Sequence, residues 1–538
     1  MYYNKRRNNK SDYEYRKLET MILEKNLLSL KEASKWASEF LNREITESNI
    51  SYLINYGKIN KYEENGKILV SLEELKDYYE NNILLKEKKI KEKLGEDINW
   101  ELSFDWIPER ERTKHVHRLH PYKGKFIPQL VEYFLSRHFK KGDIVLDPFS
   151  GSGTTLIQAN EMGIHSIGID ISEFNNIITQ VKFADVDLIK LHKKINKILN
   201  ELSSLEKNNK IFDFEKKLKE KLEQFNKKNF PSPEFKKQFQ KGEISKDYLY
   251  QKEKEFLKIY LNLVKKYQIQ IYPDKENSFL DKWYLPNVRE EAQYILNLIK
   301  EEKDEAIKKT LMIILSRSIR SVRATTHMDL DRLKQPQYTT YYCYKHFKIC
   351  KPVFSIIPMF KKYANDTIKR LAEYKSLKTN AYQVVLIGDS RTIDIFEEVK
   401  KQNNEFYKLL KDKKITGIFT SPPYVGQIDY HEQHAYAYEL FGIQRRDELE
   451  IGPLYKGKGK EARESYIEGI SQVLRNCLKY MVDNPQIFIV ANDEFNLYPE
   501  IAKKSGLKII KEYKRPVLNR TSRDKNAYYE SIFVIGRL

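Results

Sequence analysis

Two short segments of this 538-residue chain combine residue types suited to chemistry. The first, Asp147-Pro-Phe-Ser-Gly-Ser-Gly-Thr-Thr155, follows the short apolar run Asp143–Asp147 and precedes a stretch with helical spacing. Gly151 and Gly153 allow a tight turn and a close approach of backbone to a ligand, with Phe149 and Thr154 beside them. Asp170 closes the next apolar run, where a carboxylate can accept hydrogen bonds from ribose hydroxyls. No Lys follows Gly153, so the segment is not a Walker-type phosphate loop. The second segment, Thr420-Ser-Pro-Pro-Tyr424, ends the run Ile415–Phe419. Pro422 and Pro423 are rigid and lack N–H donors, so this segment presents carbonyl oxygens, with a hydroxyl at Ser421 and a ring at Tyr424. Such a set suits an exocyclic amino group on a planar base: acceptors take the NH2 protons and the ring stacks on the base face. Taken singly, each segment also has a plainer reading, a packing turn for the first and a turn or docking peptide for the second.

These segments need strands to position them. Apolar stretches at Asp143–Asp147, Ser166–Asp170, Val384–Ile387, Ile415–Thr420, Gln486–Ala491 and Ser531–Gly536 read as strands. They alternate with helical patterns, which predicts a doubly wound α/β sheet. Ligands of such sheets bind beyond the carboxyl ends of the strands, so both segments should open on one crevice. The predicted organisation is a lead-in over 1–27, a compact module over 28–80, a charged helical linker over 81–104, two halves of the sheet domain over 105–186 and 381–538, and between them a mainly helical insertion over 187–380.

In the compact module, Ser29 caps a helix starting at Leu30 and Thr46 caps a second that Gly57 stops. Lys61–Val70 reads as a hairpin turning at Asn65-Gly66, and Ser71 with Glu74 fits a capping box opening a third helix. This order resembles the winged helix-turn-helix of excisionase and MerR-type DNA-binding modules. The resemblance implies a second helix in the major groove, with Asn49 and Tyr52 on it. The other reading is a small protein-docking module.

The chain has 96 Lys+Arg against 76 Asp+Glu, a formal net charge of +20. That balance suits a polyanion such as nucleic acid, and equally the Lys-, Asn-, Ile- and Tyr-rich usage of an AT-rich genome. No apolar run approaches the ~18 residues of a membrane span. Met1–Lys10 is polar and basic, unlike a secretory signal. Three Cys cannot build a disulfide framework and fit a reducing compartment. The expectation is a cytoplasmic protein with no membrane partner.

Together, Asp147–Thr155 and Ser421–Tyr424 resemble the amino-group DNA methyltransferases, the N4-cytosine and N6-adenine family that uses S-adenosyl-L-methionine. His120-Pro-Tyr-Lys-Gly-Lys-Phe126 with Pro128, Gly388-Asp389, Asp429-Tyr430 and Arg515 with Tyr529-Glu530 add to the likeness, which covers roughly 105–190 and 380–538. It implies a Rossmann-like methyltransferase sheet. It further implies that Lys125, Phe126, Asp147, Phe149, Gly151, Gly153, Thr154, Asp170 and Asp389 hold the cofactor, Lys125 and Phe126 toward its methionine end and Asp389 near its adenine. Ser421, Pro422, Pro423 and Tyr424 would form the catalytic segment. In this family the Ser-Pro-Pro-Tyr form is associated with cytosine N4, and Asp- or Asn-Pro-Pro forms with adenine N6, so Ser421 favours N4-methylcytosine. C5 methylation needs a Cys nucleophile, and none of Cys343, Cys350 and Cys477 follows a Pro in a loop of that kind. The implied role is direct transfer to a flipped base in double-stranded DNA, without a metal, by a prokaryotic, nucleoid-associated modification enzyme. A cognate restriction endonuclease would act on the same site without stable contact. Adenine N6, RNA or a protein amide as acceptor, and a DNA-binding regulator that only senses the cofactor, are the competing readings. One departure stands out: Asp389 follows the insertion, where the family order places that acid before it. Either the insertion interrupts the sheet early or Asp389 is a different residue.

Within the insertion, Arg317, Arg320 and Arg323 recur at i, i+3 on one helix side, a row suited to phosphates or to ion pairing. Tyr338–Tyr344 adds aromatics that could stack on or wedge between bases. Cys343, His346 and Cys350 form a Cys-x2-His-x3-Cys set with His327 nearby in sequence; the expectation is buried unpaired thiols and no metal. Gly457-Lys-Gly-Lys460 reads as a basic loop, at phosphate or at the plain surface.

Overall fold

The computed structural model describes residues 26–42, 44–95, 97–104, 106–107, 109–207, 210–330, 333–517 and 528–537. The expected lead-in lies outside the described residues except at its last two positions. Strands β1 (Leu27–Ser29), β2 (Tyr62–Glu64) and β3 (Lys67–Ser71) form an antiparallel sheet in the order β1-β3-β2. The helices Leu30–Phe40 and Glu47–Asn55 begin on reciprocal capping boxes, Ser29 with Glu32 and Thr46 with Asn49. Asn65 and Gly66 both have positive φ, 47° and 75°, which sets the tight turn between β2 and β3. Ser71 caps the helix Leu72–Tyr79 by accepting from the Glu74 N–H. The Glu74 carboxylate accepts from the Asn60 backbone N–H and Nδ2 and from the Tyr62 hydroxyl, tying this helix to the hairpin. Ala33, Ala37, Ile50, Leu53, Val70 and Leu75 fill a small separate core.

Residues 80–94 continue as helix, but the linker ends earlier than expected. Asn99 donates its N–H to the Lys514 carbonyl and accepts the Lys514 N–H on Oδ1, both at 2.9 Å. Leu102 and Phe104 are buried against the main sheet. The large domain therefore starts near Ile98, not at residue 105, because this stretch covers one end of the sheet.

The main sheet begins with β4 (Ile144–Asp147) and β5 (His165–Asp170). The hairpin β6 (Tyr341–Cys343) and β7 (Lys348–Cys350) follows within the insertion. Then come β8 (Gln383–Ile387), β9 (Ile415–Thr420), β10 (Met481–Ala491), β11 (Leu507–Val517) and β12 (Tyr528–Arg537). The spatial order of the seven-stranded sheet is β11-β12-β10-β9-β4-β5-β8. Neighbours from β10 to β8 pair in parallel, and β12 runs antiparallel to both β10 and β11. All four residues of β4 are buried, as befits a strand covered on both faces. The chain turns outward in one direction through β5 and β8, and in the other through β9 and β10. The switch point lies between β4 and β9, where a ligand crevice is expected.

The insertion leaves the sheet after the helix Glu173–Phe183 and returns at β8, which pairs with β5 from Ser166↔Gln383 to Asp170↔Ile387. The insertion therefore interrupts the sheet early, between β5 and β8, ahead of Asp389. Its long helices include Leu188–Lys207, Lys246–Tyr267, Glu305–Ser321 and Ile357–Lys375. They share one hydrophobic cluster with Phe174 and Ile178 of the sheet domain, so the excursion has no core of its own. No helix among the described residues is long and apolar enough to cross a membrane.

Candidate active site

A cleft of ≈ 880 Å³, partly open to solvent, lies beyond the carboxyl ends of β4, β5, β8 and β9. Asp147 to Ser152, Asp170 to Ser172, Asp389 with Ser390, and Ser421 with Pro423 reach it from those four strands. Tyr122 and Tyr430, stacked at 6.1 Å between ring centres, and Glu450 close it from outside the sheet.

Asp147 joins the two motif segments. Its carboxylate accepts from the hydroxyls of Thr155 and Thr420, both at 2.6 Å, and from the Phe149 N–H at 3.2 Å. Burial pushes its pKa up to about 6, against the pull of these donors. Asp170 accepts from the backbone N–H groups of Gly151 and Ser172 and from Asn175 Nδ2. A carboxylate has about four acceptor positions, so room remains for a ligand hydroxyl. Burial raises Asp170 to about 6 as well.

Gly151 has φ +49°, and a Cβ there would sit 2.9 Å from the Tyr122 hydroxyl. Gly153 plays a different part from the one expected. It does not line the cleft; with φ +74° it opens the helix Thr154–Glu161, and a Cβ would meet Thr179 at 2.5 Å. It permits close helix packing rather than ligand approach. Ser152 Oγ, Thr154 Oγ1 and Asn175 Oδ1 are buried without a hydrogen-bond partner although their residues face the cleft. Polar atoms in that condition fit a polar ligand.

Lys125 and Phe126 line the opposite wall. Lys125 Nζ donates to the His117 carbonyl at 2.7 Å, and burial lowers its pKa to about 8. Phe126 meets Phe419 edge-on at 5.4 Å. Asp389 reaches the cleft, but its carboxylate takes both Nε and Nη2 of Arg391 and the Arg391 N–H. Most of its acceptor capacity is thus spent within the chain.

Ser421 and Pro423 face the cleft; Pro422 is buried, and Tyr424 is set back from the lining. The Tyr424 hydroxyl donates to Glu530 Oε1 at 3.0 Å, and Arg515 Nη1 donates to Glu530 Oε2 at 2.6 Å. Arg515 also donates to the Leu102 carbonyl. This relay fixes the Tyr424 ring from behind. Burial and the adjacent Glu530 charge hold the phenol well above its usual pKa, so it stays neutral. The basic loop Gly457–Lys460 packs beside this segment, since a Cβ on Gly426 would lie 2.6 Å from the Gly457 carbonyl.

Glu450 escaped the sequence reading. It lines the cleft, accepts the His431 N–H at 2.9 Å and is raised to about 7 by burial. It sits in the run Arg446-Asp-Glu-Leu-Glu450, which looks like a solvated surface, so its type and spacing carry no signal. Tyr122 lies inside the His120–Phe126 segment, where its ring is the available clue. With Asp147, Asp170, Asp389 and Glu450 around it, the cleft is acidic within a chain of net charge +20.

The arginine row requires correction. Arg317 is buried, donates to Asp366 at 2.7 Å and to the Thr367 hydroxyl, and lies over the Tyr363 ring. Arg323 is buried too and donates to the carbonyls of Arg320 and Leu330. Only Arg320 keeps partial exposure. Arg317 sits on the helix Glu305–Ser321, which runs through the main core, and Arg323 lies just past its end, so these two buried side chains serve packing and not phosphates. Tyr338, Tyr341 and Tyr342 are likewise buried, leaving Tyr344 exposed. On the helix Glu47–Asn55, Asn49 Oδ1 accepts from both the N–H and the hydroxyl of Thr46, while Tyr52 is 52% exposed and stacks on Tyr56 at 3.9 Å.

A DNA methylase family, N6/N4 type, matches residues 9–180. The type II methyltransferase M.MjaII of Methanocaldococcus jannaschii is 53% identical over 514 residues, covering 95% of this chain and 97% of that protein. Shorter similarities join it to M.BsoBI of Geobacillus stearothermophilus, 40% identical over 13% of this chain and 14% of that protein, and to M.MvaI of Kocuria varians, 28% identical over 21% of this chain and 25% of that protein. The chain belongs to the N6/N4 family of DNA methylases. It is a methyltransferase.

Proposed function

We propose that the enzyme transfers a methyl group from S-adenosyl-L-methionine to the exocyclic N4 amine of cytosine in duplex DNA. We place it in the cytoplasm as the modification partner of a restriction system, with the endonuclease acting on the same DNA site. One observation carries the reading: Ser421 opens on the same cleft as Asp147 and Asp170, from adjacent parallel strands. The buried polar atoms of Ser152, Thr154 and Asn175, which have no partner, and the acidic wall suit a polar, positively charged ligand.

S-adenosyl-L-methionine supplies the methyl on a sulfonium, a good leaving group. The chain supplies position. Asp170 would hold a hydroxyl of the cofactor's sugar on its remaining acceptor site, and Thr154 would offer its hydroxyl at a helix N-terminus. The target base leaves the duplex to reach the cleft. Its amine is a poor nucleophile because the lone pair is conjugated with the ring. The Ser421 hydroxyl and the Pro422 carbonyl would accept hydrogen bonds from the amine, drawing the nitrogen toward sp3 geometry and aiming its lone pair; as the nitrogen takes the methyl it releases one proton, which leaves to water through the open side of the cleft. The Tyr424 ring, held through Glu530 and Arg515, stacks on the base. Asn49 and Tyr52 of the N-terminal module contribute to duplex binding.

Incubation with methyl-labelled S-adenosyl-L-methionine and mixed-sequence duplex DNA, followed by nucleoside analysis, tests this. The expected product is N4-methylcytosine. N6-methyladenine as sole product would overturn the choice of base, and label confined to RNA or protein would overturn DNA as substrate.

A further inference from the structure

We propose that His327, Cys343, His346 and Cys350 form a structural zinc site that clasps the β6–β7 hairpin to the segment following the helix Glu305–Ser321. One donor atom from each of the four residues lies within 4.8 Å of all the others. Cys343 Sγ is 3.7 Å from Nδ1 of both His327 and His346, and Cys350 Sγ is 3.5 Å from His346 Nδ1. With zinc–sulfur and zinc–nitrogen bonds of about 2.3 and 2.0–2.1 Å, a tetrahedron has sulfur–nitrogen edges of about 3.6 Å. Three of the four sulfur–nitrogen pairs already stand at about that separation.

The local fold explains how. Cys343 pairs with Lys348 across the hairpin, and Cys350 lies two residues further along β7, so the two sulfurs share one face. The N–H groups of His346 and Phe347 both donate to the Cys343 carbonyl, folding the turn so that His346 returns to the same point. His327 arrives from the other segment. The Tyr341 hydroxyl accepts the His327 backbone N–H at 3.0 Å, which pins this segment against the hairpin.

The site meets a structural need. The other face of the hairpin packs through Tyr342 and Ile349 into the main hydrophobic cluster, whereas on this face the buried cluster among the described residues is Tyr341, Cys343 and Cys350 alone. Both cysteines are buried and neither forms a disulfide, while His346 is exposed and leaves the ion a way in. Two thiolates and two imidazoles neutralise and select a tetrahedral, borderline-soft ion over calcium or magnesium. None of the four residues lines the methyltransferase cleft, so the role is architectural. His346 and Phe347 border a second cavity shared with Asn55 and Tyr56 of the N-terminal module, and Lys236 Nζ lies 3.6 Å over the Tyr56 ring and 4.9 Å over Phe347. The clasp thereby holds the surface on which that module rests.

Elemental analysis of the full chain purified without chelator, from zinc-supplemented cells, should find about one zinc per molecule. Cys477→Ser should retain it and Cys343→Ser should lose it. Because Cys343→Ser can also misfold, the wild-type protein supplies two further readings. Cobalt exchanged into the chain should give the visible bands of a tetrahedral site with thiolate ligands. Two thiols should become reactive only after a chelator removes the metal. Zinc-free protein with both thiols reduced and no cobalt spectrum, a Cys343–Cys350 disulfide in the native chain, or zinc retained in Cys343→Ser would each overturn the proposal.

Discussion

The turns at the ends of β4 and β9 and the arginine side of the helix Glu305–Ser321 both hold regularly spaced polar residues, but they meet opposite fates. Asp147, Gly151, Thr154 and Ser421 reach a common cleft, whereas Arg317 and Arg323 are drawn into the core and paired there. The difference is topological. A residue at the carboxyl end of a central parallel strand has its direction fixed by the sheet, and neighbouring ends must converge at the switch point. A helix has no such constraint, and which side meets solvent depends on everything packed around it. Once Ile313, Ile314 and Ile319 turned into the main cluster, Arg317 followed, with Asp366 on the adjacent helix offsetting its charge.

Substitutions at the strand ends offer the strongest way to break this contrast. Tyr424→Ala should slow single-turnover methyl transfer by about 10²–10³-fold while cofactor affinity holds, because base positioning is lost. Tyr424→Phe, which keeps the ring and loses only the bond to Glu530, should cost about tenfold. Undiminished transfer by Tyr424→Ala would remove the base from this segment.

Arg317→Ala tests the other region. It should destabilise the fold by about 2–3 kcal/mol, since it strips a buried partner from Asp366 but leaves Arg370 beside that carboxylate. The midpoint of urea unfolding should fall at constant slope, and the salt dependence of DNA binding should stay as it is. A salt slope reduced by about one charge with stability unchanged would mean that this side does meet phosphate.

Asp170→Asn should weaken S-adenosyl-L-methionine binding about tenfold, measured by calorimetry, because the ionised carboxylate is the stronger acceptor. Burial lifts Asp170 from 3.8 to about 6, so wild-type affinity should fall as pH drops through about 6, and the Asn variant should show a flatter profile. The stability linkage has the opposite sign: the folded chain holds this proton more tightly than the unfolded one. The resulting contribution is present below about pH 4 and disappears as pH rises through about 6. The smallest effect on the fold is expected at Tyr52→Ala. Its exposed ring should change stability by less than about 0.5 kcal/mol, and a measurable loss of duplex affinity would mark the N-terminal module as a DNA contact.

What could be read from the residues follows the same division. The strands carrying the motifs were visible because they are short, apolar and fully covered, as Ile144–Asp147 illustrates. Strand β11 was missed: Leu507–Val517 alternates Lys and Glu with apolar residues and includes Pro516, the chemistry of a protected edge strand. The Gly-rich turn and Ser421 announced themselves by type, whereas Glu450 and the Tyr424–Glu530–Arg515 relay depend on segments that meet only after folding. Arg515 and Glu530 were noticed, but nothing in their spacing says that they hold Tyr424. The zinc ligands divide likewise, three within one hairpin and His327 arriving from outside it.

The central claim is that one cleft holds the methyl donor on the β4 and β5 side and presents the amine on the β9 side. Ser421→Ala separates the two functions. S-adenosyl-L-methionine binding measured by calorimetry should remain within about twofold of wild type, while single-turnover transfer to duplex DNA falls by about 10²-fold or more. Loss of cofactor binding in parallel with transfer, or full transfer by the variant, would contradict that division of the cleft.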